Sequence, residues 1–130
     1  MESELMTKAS ALYSFFSSFG LKAYEENSVY AMGNAPKLPY ITYEMSLDSF
    51  EGNDVSLSFS LWSRSSSWEA ANAKADEISK TIGRGKVIEC DGGYILIHRG
   101  HPFSENLGDS TDDMIKRILC KITVRFYTND

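Results

Sequence analysis

The sequence predicts an α+β fold: a mainly antiparallel β-sheet with two α-helices packed on one face. Three observations lead there. Two segments repeat apolar residues at helical spacing, at about 3–19 and 68–82. Several others alternate apolar and polar residues, as half-buried strands do. The order then runs helix, two strands, helix, hairpin, strand, which suits helices laid over one sheet.

In the first helical segment Leu5, Ala9, Leu12, Phe16 and Phe19 share a stripe, and Gly20 follows as a stop signal. Tyr13 and Phe15 fall off that stripe, as surface aromatics or as a second contact face. From Leu21 to Pro39 the signals thin, with Ser28 to Met32 the one short strand suggested. Tyr40 to Ser49 alternates, placing Ile41, Tyr43, Met45 and Leu47 together. Glu51-Gly52-Asn53-Asp54 reads as a turn, and Val55, Leu57, Phe59 and Leu61 alternate with serines beyond it. Ser56, Ser58, Ser60 and Ser63 would form a small, uncharged face, either plain solvent surface or a packing surface for another subunit.

Ser66 and Glu69 fit a capping box ahead of the second helix, where Trp68, Ala71, Ala75, Ile78 and Ile82 recur at helical spacing. Gly83 and Gly85 end it and leave Arg84 on a loop. Lys86–Cys90 and Tyr94–Arg99 read as a hairpin around Asp91-Gly92-Gly93. His101 to Asp113 carries turn residues throughout and reads as a loop. The closing strand places Met114, Ile118, Cys120, Ile122, Val124 and Phe126 on one face and Lys121, Thr123, Arg125 and Tyr127 on the other.

With 130 residues the chain suits a single domain, 1–130, and 42% hydrophobic residues with 12% aromatics argue against disorder. A formal net charge of −5 argues against a sequence-independent grip on nucleic acid, since an acidic surface repels phosphates. Cys90 and Cys120 lack close spacing and read as buried thiols of a reducing compartment rather than a disulfide. The start, with Glu2 and Glu4, does not read as a secretion signal, and no apolar run reaches bilayer length. The expectation is a protein that is cytosolic where it is made, with no membrane partner.

Catalytic chemistry finds little support. His98 and His101 with Cys90 and Asp91 are metal-ligand types, but they lack a second ligand pair at zinc spacing. Asp109, Asp112 and Asp113 lack the alternating oxygens and closing glutamate of a calcium loop. Followed by Lys116 and Arg117, they suit charge pairing across a turn or between subunits. No G-x-S-x-G elbow is present. Gly83-Arg84-Gly85-Lys86 follows a helix, whereas a phosphate loop precedes one. The residues therefore predict no enzyme, no metal and no cofactor.

One further pattern runs the length of the chain. Leu38-Pro39-Tyr40-Ile41-Thr42-Tyr43 is followed by Trp68…Ala75-Asp76…Ile78…Ile82-Gly83. Asp91-Gly92-Gly93…Arg99-Gly100-His101-Pro102-Phe103 and Asp112-Asp113…Lys116-Arg117…Ile122-Thr123-Val124 come next. This order resembles the tail terminator, or tail completion, proteins of long-tailed bacteriophages. The resemblance implies a small α+β domain in a hexameric ring that caps the tail tube, ends tail elongation and offers the head-joining surface. The implied partners are copies of itself, the tail tube protein and a head–tail connector protein, in the host cytoplasm during assembly and then in the virion tail. Sequence-specific nucleic-acid binding is not implied. Exposure and chemistry nominate Arg84, Arg99, Phe103, Asp112, Asp113 and Arg117 as interface residues. Competing readings are another neck or tail component, a small-ligand domain, or an adaptor that binds peptides by edge-strand addition.

Overall fold

The computed structural model describes residues 6–31, 33, 36–46, 54–109 and 111–128. In chain order its elements are α1 (Lys8–Ser17), β1 (Lys22–Glu25), α2 (Glu26–Ala31), β2 (Tyr40–Tyr43), β3 (Asp54–Arg64), α3 (Glu69–Ile82), β4 (Lys86–Cys90), β5 (Gly93–Gly108) and β6 (Ile115–Thr128). The strands form one curled sheet of six in the order β1-β2-β3-β6-β5-β4. β1 pairs with β2 in parallel and every other pairing is antiparallel, so the sheet is mixed and the fold mostly β.

Strand alternation sets the two faces. Leu57, Phe59 and Leu61 of β3 pair with Ile122, Cys120 and Ile118 of β6, and Ile95 and Ile97 of β5 pair with Phe126 and Val124. All are buried and join Ala71, Ala75, Ile78 and Ile82 of α3 and Leu12, Phe15 and Phe16 of α1 in one core. Burying each large side chain of this kind is worth roughly 1.5–3 kcal/mol.

α1 lies across the strands rather than along them. Just before it, the Met6 carbonyl accepts from the Asp91 amide beyond β4. The Lys8 ammonium stands 5.9 Å from the Phe126 ring centroid on β6. Phe16 stacks on Tyr43 of β2 at 4.6 Å and meets Phe59 of β3 at 5.1 Å. Thr7 caps the helix, its Oγ1 accepting from the Ser10 amide at 3.1 Å. A helix that spans a curled sheet buries a broad arc. Phe15 is accordingly core, edge-to-face with Phe16 and Phe19 at 5.3 Å each, and only Tyr13 stays exposed.

Several expectations need correction. The predicted 3–19 helix is seen over Lys8–Ser17, with Leu5 outside the described residues. Of the strand expected from Ser28 to Met32, Ser28 to Ala31 belong to α2 and Met32 lies outside the described residues; the parallel β1 precedes them. Among the described residues of the alternating segment, Tyr40–Tyr43 is strand, while 47–49 and the turn residues at 51–53 lie outside the described residues. Ser63 pairs with Lys116 on the helix-covered face, so the serine face comprises Ser56, Ser58 and Ser60. No capping box forms at α3: Trp68 is the N-cap, and the Glu69 amide donates to Ser67 Oγ at 3.1 Å.

The largest correction concerns the expected loop at 101–113. β5 continues to Gly108, pairing Ser104–Gly108 with Cys120–Lys116 after an irregularity between Arg99 and Ser104. Glycine matters at that irregularity. A Cβ on Gly100 would sit 2.9 Å from Lys121 Cβ and 3.0 Å from its carbonyl oxygen, so only glycine lets the strands approach there.

Candidate interaction surfaces

The outer face of the sheet carries an aromatic and cationic row. Register places Lys22, Tyr40, Trp62, Arg117 and Leu107 side by side on five strands. Tyr40 and Trp62 stack at 6.2 Å, and Tyr24 meets Tyr40 edge-on at 5.9 Å. Trp62 Nε1 donates to Thr42 Oγ1 at 2.9 Å, and Arg117 Nε donates to Ser60 Oγ at 3.1 Å. Tyr40, Thr42 and Ser60 are buried although they point to this face. That burial pushes the Tyr40 phenol above its usual range, with Tyr24 adding to the effect.

The second surface is the β5–β6 tip. Arg64 Nη1 meets Asp112 Oδ2 at 2.6 Å, and the Ser65 amide donates to the Met114 carbonyl at 2.8 Å. These bonds tie the tip to the end of β3. Asp109 Oδ1 accepts from the Thr111 amide and hydroxyl at 2.7 Å each, which lowers the Asp109 pKa. Asp112 is lowered chiefly by its bond to Arg64. Lys116 faces the covered side, donating to the Asp113 carbonyl and standing 5.3 Å over the Trp68 ring.

The six nominated interface residues do not converge. Arg84 is exposed on the turn between α3 and β4. Arg99 is exposed and donates to Ser79 Oγ of α3 at 3.0 Å. Phe103 turns inward, 6.2 Å from Phe59, and is half-buried where it packs against the core. Asp112 and Asp113 share the tip, and Arg117 lies on the outer row. Arg64, Trp62 and Thr42, which hold Asp112 and build the row, were missed because their partners are distant in sequence.

The remaining polar groups are dispersed. His98 is exposed opposite Thr123 on the outer face, whereas Cys90 is in the core. Among the described residues no group of three or more His, Cys, Asp or Glu could hold a metal ion. Cys90 lies at the Gly93–Thr128 end of the sheet and Cys120 pairs with Ser104. Eight positions along β6 amount to roughly 26 Å, far beyond disulfide reach. Both are unbridged, and burial pushes the Cys120 thiol up to about 12.

Two hollows complete the surface. An apolar cleft of about 390 Å³ lies between Leu38, Pro39, Trp62 and α3. Its lysine, Lys74, already donates to the Phe19 carbonyl at 2.8 Å and to Glu77 at 3.0 Å. A polar hollow of about 420 Å³ lies over the β5 irregularity, bounded by Glu44, Ser58, His101 and Lys121. No described helix is long and apolar enough to cross a membrane. Compared with known proteins, the chain matches no family model, no curated protein and no solved structure.

Proposed function

We propose that this chain is a structural subunit of a phage tail that caps the tail tube as a hexameric ring, ends its elongation and offers the surface for head joining. The observation that carries the reading is the pair of unlike surfaces on one sheet. The outer row around Trp62 and Arg117 and the adjoining tip, where Arg64 two residues beyond Trp62 holds Asp112, present different chemistry. A cyclic ring needs two such different faces on each subunit, because its contacts are heterologous. The order of motifs from Leu38-Pro39 to Ile122-Thr123-Val124 adds the resemblance to tail terminators. Contacts in the ring and with the tube and connector draw on Arg84, Arg99, Asp112, Asp113 and Arg117. The role requires neither catalysis nor a cofactor.

The test is native mass spectrometry of the purified protein with and without isolated tail tubes. The expected result is a ring-sized assembly on tube ends and arrest of tube polymerisation. A protein that neither binds tube ends nor blocks polymerisation overturns the reading. Binding to an isolated connector but never to tubes favours the alternative of another neck component.

The apolar cleft favours a second reading, a small-ligand domain. Its charged margin is already engaged, Lys74 by Phe19 and Glu77 and Arg64 by Asp112. Few polar groups remain to orient a ligand, and the ring reading is preferred.

A further inference from the structure

The polar hollow on the outer face of the sheet has a structural cause. Arg99 pairs with Ile122 and Ser104 with Cys120, so Gly100, His101, Pro102 and Phe103 together stand opposite Lys121 alone. Bulges re-aim side chains and are over-represented beside functional sites. Phe103 goes inward to Phe59, while His101 is exposed and lines the hollow. Gly100 keeps the bulged strand against Lys121, where a Cβ would not fit. The space that results, about 420 Å³, is of the size that takes a small molecule.

Register places the walls. Ser58 lies opposite Lys121 and Ser56 opposite Thr123, and alternation turns all four away from Leu57 and Ile122, which are buried in the core. Directly opposed side chains begin about 4.5–5.5 Å apart, so three hydroxyls cluster around the stem of Lys121. Lys121 is exposed and makes no ion pair among the described residues. Glu44 bounds the other side. Its amide donates to the Ser58 carbonyl at 3.0 Å, and the Ser58 amide donates to Glu44 Oε1 at 2.7 Å. That pair of bonds holds the carboxylate beside β3. Two strand spacings, roughly 10 Å, separate the Glu44 backbone from that of Lys121.

From this arrangement we propose that the hollow binds a small phosphate monoester bearing hydroxyl groups, with its phosphate at Lys121 and His101 and its hydroxylated end at Glu44. The choice of phosphate follows from the donors. Lysine serves phosphate as a point charge, whereas the planar fork of arginine matches a carboxylate. A phosphate also has enough oxygens to accept from Ser56, Ser58 and Thr123 as well as from the ammonium. Glu44 repels a bare anion and accepts from a hydroxyl, so it selects the ester over inorganic phosphate. The chain's net charge of −5 does not prevent this, because carboxylates more than about 8–10 Å away are largely screened at physiological salt. The hollow is built within one chain, so the inference does not depend on the ring reading.

Titration followed by amide NMR shifts tests the site, with glycerol 3-phosphate, inorganic phosphate, acetate and glycerol as probes. Glycerol 3-phosphate should shift the amides of Ser56, Ser58, His101, Lys121 and Thr123 saturably and bind more tightly than the other three. Lys121→Gln should weaken it at least about tenfold, as expected for a charge-assisted hydrogen bond. Glu44→Gln should bring glycerol 3-phosphate and inorganic phosphate closer together in affinity. Lys37→Gln is the control, since Lys37 is exposed ahead of the other end of β2 and should leave binding unchanged. Circular dichroism confirms that each exposed substitution leaves the fold intact. Equal binding of the two phosphates, with equal losses in Lys121→Gln and Lys37→Gln, means an adventitious ion only and overturns the proposal. Acetate binding as tightly as glycerol 3-phosphate, or shifts absent from the hollow, overturns it too. Tube capping bears on the ring reading alone: a protein that caps tubes but ignores glycerol 3-phosphate defeats the ligand site and keeps the ring.

Discussion

The guanidinium of Arg117 lies 4.8 Å over the ring of Trp62, while its Nε donates to Ser60 Oγ at 3.1 Å. One side chain of β6 therefore fastens two side chains of β3 on the outer face. Arg117→Ala should cost about 1–2 kcal/mol, from the lost cation–π contact and hydrogen bond. Arg117→Lys should recover only part, because lysine lacks the planar fork. Urea unfolding midpoints check both. The same pair separates stability from assembly: Arg117→Glu should impair ring formation or tube binding beyond the level of Arg117→Ala, and equal assembly by the two would remove Arg117 from the contact.

Two glycines of β5 should respond oppositely to alanine. At Gly93 a Cβ would stand 1.8 Å from the Tyr127 carbonyl oxygen, and φ is +156°. Backbone occupies that space, so Gly93→Ala should cost about 3 kcal/mol or more. At Gly108 a Cβ would meet nothing within 4 Å. Gly108→Ala should shift stability by no more than about 0.5 kcal/mol. Thermal melts of the two variants compare them directly.

Carboxyl titration by NMR should find Asp109 and Asp112 both below their usual value of 3.8. Their folded forms hold protons less tightly than the unfolded chain, so their stabilising effect is present above the unfolded pKa and lost as pH falls through the folded values. Arg64→Gln removes the main cause at Asp112 and should raise its pKa. Asp109 should stay low in that variant, because its bonds come chiefly from Thr111. A parallel rise at both would show that the tip is not built as described.

Cys120 should be silent toward thiol reagents in the native protein at mildly alkaline pH, since burial raises its thiol from 9.0 to about 12. A folded pKa above the unfolded one means stability that is complete below pH about 9 and declines as pH rises toward 12. Rapid modification without unfolding would contradict the burial. Cys120→Ser should destabilise by about 1–3 kcal/mol, as a hydroxyl replaces sulfur among apolar neighbours.

Strands with a strict alternation were legible in the sequence. β6 announced itself because Ile118, Cys120, Ile122, Val124 and Phe126 all face the core. α3 showed its buried face through Ala71, Ala75, Ile78 and Ile82. β1 gave no such signal, because Lys22–Glu25 is too short for a period and its partner, β2, lies well downstream. The far half of β5 was hidden by Gly100, Pro102 and Gly108, residues that suit a loop and here accompany an irregular edge strand. Charge chemistry marked Asp112 and Arg117 as engaged residues. Their partners, Arg64, Ser60 and Trp62, depend on strand register, which a local pattern does not encode.

The place of β6 in the sheet has a consequence for how the molecule comes together. It alone joins the β1-β2-β3 group to the β5-β4 pair. Until residues 115–128 are available, the two groups share no strand, and α1 has only part of its platform, because Phe126 belongs to β6. The helices and hairpin can form locally beforehand, but the sheet cannot close around them. Long-range pairing of this kind makes folding slow relative to helix formation and leaves it dependent on a single late event. Assembly is thus deferred until β6 docks, when both halves of the molecule become one surface.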